Sequence, residues 1–470
     1  MEGKKIIIIA LILFLILLSI SGIVIKNRVR TQVKELFRMN KDLQEEGYYM
    51  AEFEFKMLGI AYYLDKAHYY YAVSRLDQLH KQLKFKQNLI KVPEFKSKED
   101  EMEFYLNLQN PETGAFMDDS YPYCTYNEPT ENVLSHLAAF AKETGKPLCL
   151  KYDLKYLDEI KTPDKLTAFL DDVSSVGWIA SKFPQTSFVF ARSLLGFCNE
   201  EGIIGTNNLY NFSPEWKQAI LHWFYENQDS ETGFWGPKSK INGRLLKKDM
   251  TNTTSIIKTF VDKNGNNIHA SFPLRHKNEM FSTALELLSE SSPPDNDPDE
   301  LHEWNLIMEK GIKMLLRYLW KDALQENKEY ARKLIETYVK IKFEKYYISG
   351  EGAFSYYPGA EHAALDGTGG FFIFRDIGAF SGEKQKQLWG TSKMKHWINT
   401  ISQTMGNWIS KEQIRQELES LEIEKVPVYE EDFPLENANE VLQRNNELVV
   451  IGFDVLQIPR YKIVYKYSSE

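Results

Sequence analysis

Three short segments of the chain repeat at a constant spacing, and this spacing is the strongest constraint on its fold. Each segment contains a glycine followed within two residues by an aromatic side chain. The glycines Gly114, Gly233 and Gly352 are 119 residues apart in both intervals (233 minus 114, and 352 minus 233). Equal spacing indicates copies of one structural unit. The matching segments are 108–116 (LQNPETGAF), 227–235 (NQDSETGFW) and 348–354 (ISGEGAF).

The residues around the repeated glycines predict a helix that ends in a polar turn and a second helix that follows. Glycine adopts the positive φ that a turn after a helix commonly needs, and the aromatic residue can fill the gap between the helices. In the first copy we predict that Thr130 is the N-cap of the second helix, because an apolar face begins at Val133. In the second copy Thr253 or Thr254 has this position.

Apolar residues at helical spacing predict that the rest of the chain is mostly helical, so the expected fold class is all-α. The predicted helical stretches are 50–90, 132–142, 164–180, 186–199, 214–227, 278–290, 302–345 and 392–420. Near the C-terminus, residues 448–453 and 461–465 alternate like two β-strands around Ile458-Pro459. The predicted domains are a transmembrane signal anchor (1–26), a juxtamembrane helix or stalk (27–48), a helical domain (49–400) and a C-terminal helix with a short β-hairpin appendage (401–470).

The segments QNPETGAF and NQDSETGFW, each at the end of a helix and followed by a loop and another helix, resemble the repeat of the prenyltransferase and terpene-cyclase superfamily. The resemblance implies an α/α toroid over about residues 50 to 400, in which two rings of helices surround a central cavity. Toroids of this kind also serve polysaccharide lyases, glycosidases and non-catalytic domains. The resemblance therefore supports the fold more than the activity.

The signature residues of both well-known chemistries of that superfamily are missing from this sequence. Class-II terpene cyclases protonate an alkene with an acid of a DxDD motif, whereas Asp118-Asp119 and Asp171-Asp172 are only pairs. Protein prenyltransferases hold zinc in part through a D-x-C spacing, which the chain lacks. We therefore predict no metal site, and the sequence identifies no cofactor.

Residues 6–25 form an apolar run that is long enough to cross a bilayer as a helix. We interpret the run as an uncleaved signal anchor, which makes the cell membrane a partner of a single-pass protein. The orientation is open, because Lys4 and Lys5 precede the run but five basic residues between Lys26 and Arg38 follow it. A lysine-led run at the extreme N-terminus is the usual form of a bacterial export anchor, which favours an extracytoplasmic position for the rest of the chain.

Charge and cysteine content exclude some functions and leave others open. The chain has 57 Lys and Arg against 66 Asp and Glu, a net charge of −9, and no basic stripe stands out. This balance argues against nucleic acid as a partner. The three cysteines, Cys124, Cys149 and Cys198, have no CxxC spacing, so they settle neither the compartment nor the metal content.

The loops that lead into the inner helices of a toroid meet at the mouth of its cavity, so the loops after the three repeat turns are candidates for ligand binding. Their aromatic residues suit stacking on sugar rings and equally suit lining an isoprenoid cavity or packing helices. The predicted substrate-binding residues are Tyr123, Asn127 and Glu128 in the first loop, Trp235, Arg244, Asp249 and Asn252 in the second, and Tyr356 in the third.

The third loop combines an imidazole, carboxylates and phenols in a short stretch, so the predicted catalytic residues lie there. His362, with an ordinary pKa of about 6.5, is the candidate for proton transfer near neutral pH. Glu361 or Asp366 could orient it or act as an acid, and Tyr357 could transfer a proton as tyrosines do in many polysaccharide lyases. Alternatively, Asp366 caps the following helix and His362 is a hydrogen-bonded core residue.

Three functions compete at this point. The leading hypothesis is a membrane-anchored α/α-toroid enzyme that acts on an extracytoplasmic polysaccharide as a lyase or a hydrolase. The second is an isoprenoid or terpenoid enzyme, for which the membrane would supply a lipid-like substrate. The third is a non-catalytic toroid that binds a glycan or a partner protein.

Overall fold

The structure is a computed structural model, and helices make up most of the residues that it describes, which confirms the mostly helical prediction. The described residues are 28–29, 31–50, 52–177, 187–198, 202–290, 298–348, 353–355, 357–362, 373, 376–377, 382–389, 440–444, 447–453 and 459–466. The apolar run 6–25, the predicted helix 392–420 and the candidate residues Tyr356 and Asp366 lie outside them. Among the described residues, no helix is long and apolar enough to span a membrane.

The elements are numbered here along the chain. The helices are α1 (residues 31–45), α2 (Phe53–Asp65), α3 (Tyr69–Lys84), α4 (Lys98–Leu106), α5 (Asn127–Thr144), α6 (Pro163–Ser174), α7 (Val189–Ser193), α8 (Ile203–Thr206), α9 (Pro214–Asn227), α10 (Met250–Phe260), α11 (Lys277–Glu290), α12 (Pro298–Met314), α13 (Gln325–Ile341) and α14 (Gly382–Trp389). The strands are β1 (Ser175–Val176), β2 (Lys238–Ser239), β3 (Tyr347–Ile348), β4 (Ala353–Phe354), β5 (Glu440–Arg444), β6 (Glu447–Phe453) and β7 (Pro459–Lys466).

The chain divides into two compact units, each with its own core. The first unit contains Met1–Lys217 and Pro237–Lys247, and the second contains Gln218–Gly236 and Lys248–Glu470. The first repeat turn therefore belongs to the first unit, whereas the second and third repeat turns belong to the second.

Helices α3 and α5 contribute apolar faces to the core of the first unit. Leu76 and Leu79 of α3 and Leu134 and Leu137 of α5 are completely excluded from solvent. Each fully buried leucine contributes about 1.5–3 kcal/mol relative to an exposed one, so these faces hold the unit together. The long predicted stretch 50–90 is two helices, α2 and α3, because the chain turns between them at Ala67, which has a φ of 59°.

Helix α1 packs on this core through α3. Leu36 of α1 is completely buried. The Arg28 guanidinium, just before α1, lies 3.0 Å from the Asp77 carboxylate, and His80 Nε2 lies 3.3 Å from a Glu35 carboxylate oxygen. The segment predicted as a juxtamembrane helix or stalk is thus helical over 31–45 and makes polar contacts with α3.

The second unit is built from α10 to α13. Gly311 of α12 allows a close approach to α11, since a Cβ there would lie 2.9 Å from Leu288 Cδ2. The predicted helical stretch 302–345 is interrupted after the 3₁₀ turn Trp320–Asp322, where Ala323 is extended. Leu324 is extended and precedes α13, so the stretch forms two helices.

Strands are few and short in the described chain, and the largest sheet lies at the C-terminus. There β6 pairs antiparallel with β5 on one side and with β7 on the other, and Gly452 lies opposite Tyr461. Both strands expected from the sequence are present, but β5 makes the appendage a three-stranded sheet and not a hairpin. Elsewhere β1 pairs parallel with β2 and β3 pairs antiparallel with β4.

Candidate functional site

The first and second repeat turns contain the same backbone hydrogen bonds at positions 119 residues apart. In the first turn, Asn110 N donates to Ala115 O at 2.8 Å and Gly114 N donates to Asn110 O at 2.9 Å. The equivalent bonds of the second turn join Asp229 N to Phe234 O at 3.0 Å and Gly233 N to Asp229 O at 2.8 Å. Both glycines have positive φ, 74° and 72°. The two segments therefore form one kind of turn, as the repeat indicates.

A buried glutamine side chain closes each of these turns. Gln109 Nε2 donates to Gly114 O at 2.8 Å and to Tyr152 O at 2.7 Å, while its Oε1 accepts from the backbone N–H groups of Lys151 and Tyr152. In the second unit, Gln228 Nε2 donates to Gly233 O and Arg275 O, both at 2.8 Å. The amide thus fastens the turn to a later segment of the same unit.

The aromatic residue after each turn is tied to the following helix by a threonine. Phe116 N donates to Thr130 Oγ1 at 3.1 Å, and Trp235 N donates to Thr253 Oγ1 at 3.2 Å. These threonines are 123 residues apart (253 minus 130), so the second loop is four residues longer. The prediction that they are N-caps is wrong: α5 begins at Asn127 without a side-chain cap, and in α10 the cap is Asp249.

In the third copy the described residues show the reversal of the chain. Ile348 pairs with Ala353 across β3 and β4, at positions equivalent to the bonded pair Asn110 and Ala115 of the first turn. Tyr347 stands where the other copies have the glutamine. Residues 349–352, with the repeated Gly352, lie outside the described residues.

Two glutamates at the start of α5 and one arginine of α7 form a charged cluster in the first unit. Glu128 Oε1 accepts a hydrogen bond from Arg192 Nη2. Glu131 follows three residues later, on the same side of the helix. A Cβ at Gly196 would lie 3.3 Å from Glu131 Oε1, so the glycine leaves room for this carboxylate. The side chains of Glu128 and Arg192 are 24% and 26% exposed, so solvent reaches the cluster.

The two carboxyl groups of this acid pair, Glu128 and Glu131, titrate differently. Burial, with a further contribution from the Glu128 charge, raises the pKa of Glu131 to about 7, although Asn127 and Arg192 oppose the shift. Burial also raises the pKa of Glu128, and the charge of Arg192 opposes it directly. Near pH 7, Glu131 is therefore able both to donate and to accept a proton, beside a neighbour whose ionised form is favoured by Arg192.

The Tyr156 phenol lies near Glu131 and is held protonated. Tyr156 OH donates to Asn127 Oδ1 at 3.2 Å, and burial raises the pKa of Tyr156 well above its usual value. The Tyr123 ring packs edge-on against Tyr126 and Phe169. Of the three residues predicted to bind substrate in this loop, Asn127 is buried, Tyr123 is half-buried against other rings, and Glu128 lies in the charged cluster.

A cavity of about 400 Å³ lies beside the first repeat turn and contains a buried lysine. Lys56 is 1% exposed, and its Nζ lies 3.2 Å from Glu52 Oε2 and 3.3 Å from Asp118 Oδ2. Burial acts to raise the pKa of the Asp118 carboxyl group. Hydrogen bonds from Ser120 and the Lys56 charge outweigh this effect, so the pKa lies below its usual value. We call this space the Lys56 cavity. Its lining residues are Glu52, Lys56, Asn88, Ile90, Leu108, Asn110, Phe116, Met117, Asp118, Asp119 and Val133.

The acid pair and the Lys56 cavity lie on different sides of α5. Val133 lines the cavity, and Glu131 is two residues earlier, about 200° away around the helix. The first loop thus serves two separate polar environments.

Three of the residues predicted to bind substrate in the second loop have structural roles, and the fourth belongs to the first unit. Trp235 is 1% exposed; its Nε1 donates to Phe224 O at 2.7 Å and its ring stacks on Phe260. Asp249 accepts from Asn252 N at 2.9 Å and from the Asn252 side chain at 2.8 Å. Asp249 and Asn252 thus cap α10. Arg244 lies in an exposed turn of the first unit, where its backbone accepts a bond from Ser239 N.

The described part of the third loop is exposed. Tyr357 is 42% exposed, and its carbonyl accepts a hydrogen bond from Ser355 Oγ at 2.6 Å. Glu361 and His362 are also exposed, so His362 is not a buried core residue. The structure therefore places three of the four predicted catalytic residues at the surface of the second unit.

Sequence reasoning missed Glu131, Arg192 and Lys56. Two acids at i and i+3 at the start of a helix were a readable signal for Glu131. Arg192 comes from another helix 61 residues later in the chain (192 minus 131), and no sequence pattern joins them. The sequence gives no sign that Lys56 differs from an ordinary surface lysine of a helix, and only the structure shows that it is buried. Across the described residues, no group of three or more His, Cys, Asp or Glu side chains is arranged to hold a metal ion.

In comparisons with protein-family models, with curated proteins and with solved structures, nothing matches this chain.

Proposed function

We propose that this chain is a membrane-anchored α/α-toroid enzyme that cleaves an extracytoplasmic polysaccharide by hydrolysis. One observation carries the proposal: Glu131, whose pKa is raised to about 7, stands one helical turn from Glu128, which Arg192 engages. Hydrolysis of a glycosidic bond uses one protonated and one ionised carboxyl group. The cluster supplies both near neutral pH.

In this mechanism Glu131 donates its proton to the glycosidic oxygen as the bond to the anomeric carbon breaks. Ionised Glu128 stabilises the positive charge on the sugar ring or directs water to the anomeric carbon. The water adds its hydroxyl to that carbon and gives its other proton to Glu128, which releases it to solvent. Arg192 favours the ionised form of Glu128 through its hydrogen bond and its charge, against the effect of burial. Glu131 regains a proton from solvent for the next cycle.

Hydrolysis fits these groups better than a lyase reaction does. A lyase that acts on a uronate needs a base and a cation that neutralises the sugar carboxylate. Arg192 already engages Glu128, and burial keeps the Tyr156 phenol protonated. An isoprenoid substrate has less support, because charged and amide side chains line much of the Lys56 cavity.

The anchor and the third loop remain part of the proposal as predictions. The apolar run 6–25 would hold the enzyme at the membrane. His362, Glu361 and Tyr357 are exposed and could contribute to substrate binding or proton transfer. They are tested in the same assay.

The test is an activity screen of the full chain, purified in detergent, against a panel of polysaccharides, with prenyl diphosphates and squalene as alternative substrates. New reducing ends report hydrolysis, and unsaturated ends report a lyase reaction. We expect Glu131→Gln to lower kcat by about 10²–10⁴-fold, the usual contribution of general acid catalysis. Glu143→Gln, an exposed glutamate of the same helix, is the matched control and should keep full activity.

Each alternative predicts a different result. Conversion of an isoprenoid without sugar release would replace the proposal with the isoprenoid reading. Glycan binding without turnover would indicate a non-catalytic toroid. Reducing ends that survive Glu131→Gln but disappear in His362→Ala would move the catalytic role to the third loop.

A further inference from the structure

A second cavity, of about 210 Å³, lies in the first unit and has aromatic walls. Its lining comes from the 3₁₀ turn after α7, from α8, from the loop before α9 and from the first turn of α9. Three rings, two polar side chains and a glycine belong to it: Phe197, Tyr210, Phe212, Asn211, Lys217 and Gly205. We call this space the aromatic cavity. Pockets for drug-sized ligands measure about 300–1,000 Å³, so this one suits a smaller molecule.

The rings of the aromatic cavity are held in place by the rest of the first unit. Phe212 stacks on Trp216, with ring centroids 3.9 Å apart and an interplanar angle of 18°. The Trp216 side chain is completely buried, and its Nε1 donates to Ile160 O at 2.6 Å. Tyr210 OH donates to Asp158 Oδ1 at 2.8 Å. Rings that are fixed in this way lose little side-chain freedom when a ligand packs against them.

The three rings are inclined to one another, which suits a flat ligand. The Phe197 and Phe212 rings have centroids 5.0 Å apart at an interplanar angle of 66°, and Tyr210 lies 5.0 Å from Phe212 at 54°. Since Trp216 covers one face of Phe212, the remaining surface of that ring borders the cavity. A flat aromatic ring can stack on one wall and meet another edge to face, the two arrangements that aromatic pairs prefer.

Helix α8 leaves the cavity open at Gly205. Nothing lies within 4 Å of the position that a Cβ would occupy at this residue. Its φ lies outside the left-handed region, so the backbone does not require glycine there. A larger side chain at position 205 would therefore fill open space in the lining without strain in the helix.

Lys217 gives the aromatic cavity a positive charge. Within the part of the chain that the structure describes, its ammonium group makes no hydrogen bond and no ion pair. The Cys198 thiol lies near it: burial raises the pKa of Cys198 to about 12, and the Lys217 charge opposes this shift. Such a thiol is neutral near pH 7, so it does not cancel the charge of the ammonium group.

The acids closest to the lining in the chain or in its hydrogen bonds have other partners. Asp158, which accepts from Tyr210 OH, lies 3.4 Å from Lys161 Nζ. Glu215 is two residues before Lys217, about 200° away around α9. Hydrogen bonds from Ser213 and from its own backbone lower the pKa of Glu215. The Lys217 ammonium group is therefore free to bind a ligand.

The polar groups that the cavity offers are few, and this restricts the ligand. Besides Lys217, the Asn211 side chain is exposed and makes no hydrogen bond to any described residue. A sugar ring needs partners for several hydroxyl groups, because hydroxyls buried without partners cost free energy. A flat apolar ring with one carboxylate needs partners at one end only, where an ammonium and an amide group can both donate.

We propose that the aromatic cavity binds a small carboxylate with a single aromatic ring. The ring packs against Phe197, Tyr210 and Phe212. The carboxylate accepts hydrogen bonds from the Lys217 ammonium group and the Asn211 amide group. This proposal does not depend on the polysaccharide activity, because none of these residues belongs to the acid pair.

The test is calorimetric titration of the full chain, purified in detergent, with benzoate, benzamide and cyclohexanecarboxylate, and with empty micelles as the blank. We expect benzoate to bind at least about tenfold more tightly than benzamide, which has the same ring without the charge. It should bind at least about threefold more tightly than cyclohexanecarboxylate, which has the charge without the aromatic ring.

Two variants test the two parts of the site. Lys217→Met should weaken benzoate at least about tenfold and change benzamide less than about twofold. Gly205→Leu should abolish binding of both, because the leucine fills the cavity. The matched controls are Lys155→Met, at an exposed lysine, and Gly177→Leu, at a glycine that also has nothing within 4 Å of its Cβ position. Neither residue lines the cavity, so both controls should keep benzoate affinity within about twofold.

Three results would overturn the proposal. The first is equal affinity for benzoate and benzamide, or no binding of benzoate at millimolar concentration. The second is cyclohexanecarboxylate that binds as tightly as benzoate, which would remove the role of the aromatic ring. The third is unchanged benzoate affinity in Gly205→Leu when circular dichroism shows that it is folded. If that variant does not fold, unchanged benzoate affinity in Lys217→Met is the deciding result.

Discussion

The first and second repeat turns are alike in their hydrogen bonds and differ in what the following helix carries. Both contain the same two backbone bonds, a buried glutamine and a threonine that accepts from the aromatic residue. With the spacing of 123 residues set by these threonines, Glu128 and Glu131 of the first unit correspond to Thr251 and Thr254 of the second. The same turn therefore leads to an acid pair in one unit and to neutral hydroxyls in the other.

This difference distinguishes the residues that build the turn from the residues that can carry chemistry in the following helix. Thr254 Oγ1 donates to Met250 O at 2.7 Å, within its own helix, and carries no charge. Glu131, at the same position, has a raised pKa and lies beside Glu128. A repeated turn supplies the start of a helix, and substitutions on its first turns decide whether a titratable site forms there.

The largest expected effect tests whether the two turns depend equally on glycine. A Cβ at position 114 would lie 1.8 Å from Asp153 O, and one at 233 would lie 2.6 Å from His276 O and Met280 N. Because backbone atoms cannot give way, we expect Gly114→Ala to lower the free energy of unfolding by more than about 4 kcal/mol and Gly233→Ala by about 3. Urea denaturation measures both.

Gly145 provides the control for these glycines. It also has a positive φ, 67°, but nothing lies within 4 Å of its Cβ position. Gly145→Ala should therefore cost only the left-handed strain, about 1–2 kcal/mol. Equal losses in all three variants would mean that backbone conformation, and not close approach, requires the glycines.

The next effect concerns the buried glutamines. Gln109 makes four hydrogen bonds to backbone groups, whereas Gln228 makes two to Gly233 and Arg275. Replacement by leucine leaves those groups unpaired, at about 1–3 kcal/mol for each that stays buried. We expect Gln109→Leu to cost about 3 kcal/mol and Gln228→Leu about 2, measured by urea denaturation. A larger loss at position 228 would show that the second turn is the more dependent on its amide.

The sequence predicts this scaffold well, because the turn is local. The glycine, the glutamine and the threonine bond within about 45 residues of one another, and their spacing recurs in the second unit. The structure between the turns is harder to predict from the sequence. The stretch 302–345 has a continuous helical pattern, and only the extended backbone at Leu324 reveals that it contains two helices.

The candidate site is predicted only in part, because its energetics are not local. Glu128 is identified as a ligand-binding candidate from the loop in which it lies. The raised pKa of Glu131 depends on burial by residues that come from other helices, such as Gly196. The aromatic residue Trp235 shows the opposite error, since a ring that suits sugar stacking is buried against Phe260.

The acid pair should make the stability of the first unit depend on pH. The pKa of Glu131 is near 4.5 when unfolded and about 7 when folded, so between these values the folded state binds more protons. Its contribution is therefore fully present below pH 4.5 and is lost as the pH rises through 7. We expect Glu131→Gln to match the wild type near pH 4.5 and to exceed it by about 2–3 kcal/mol at pH 8, in urea denaturation.

The equivalent threonine is the control for this pH dependence. Thr254→Val removes a buried hydroxyl that donates to Met250 O, and its cost should be the same at both pH values because threonine does not titrate. If the wild type did not lose stability relative to Glu131→Gln between pH 4.5 and 8, Glu131 would be ionised over this whole pH range. The acid pair would then lose its proposed role as a proton donor.

The smallest expected effect concerns the residue that begins each turn, Asn110 in the first and Asp229 in the second. Asn110 Oδ1 accepts from Glu112 N and Thr113 N, and Asp229 Oδ1 accepts from Thr232 N and the Thr232 hydroxyl. One side-chain oxygen accepts two hydrogen bonds in each turn, so the negative charge of the Asp229 carboxylate is not required. Asp229→Asn should change the free energy of unfolding by less than about 1 kcal/mol, and Asp229→Ala by more, since it leaves both donors of Thr232 without this acceptor. A large loss in Asp229→Asn alone would show that the second turn uses the charge itself, and the two copies would then differ in electrostatics as early as the first residue of the turn.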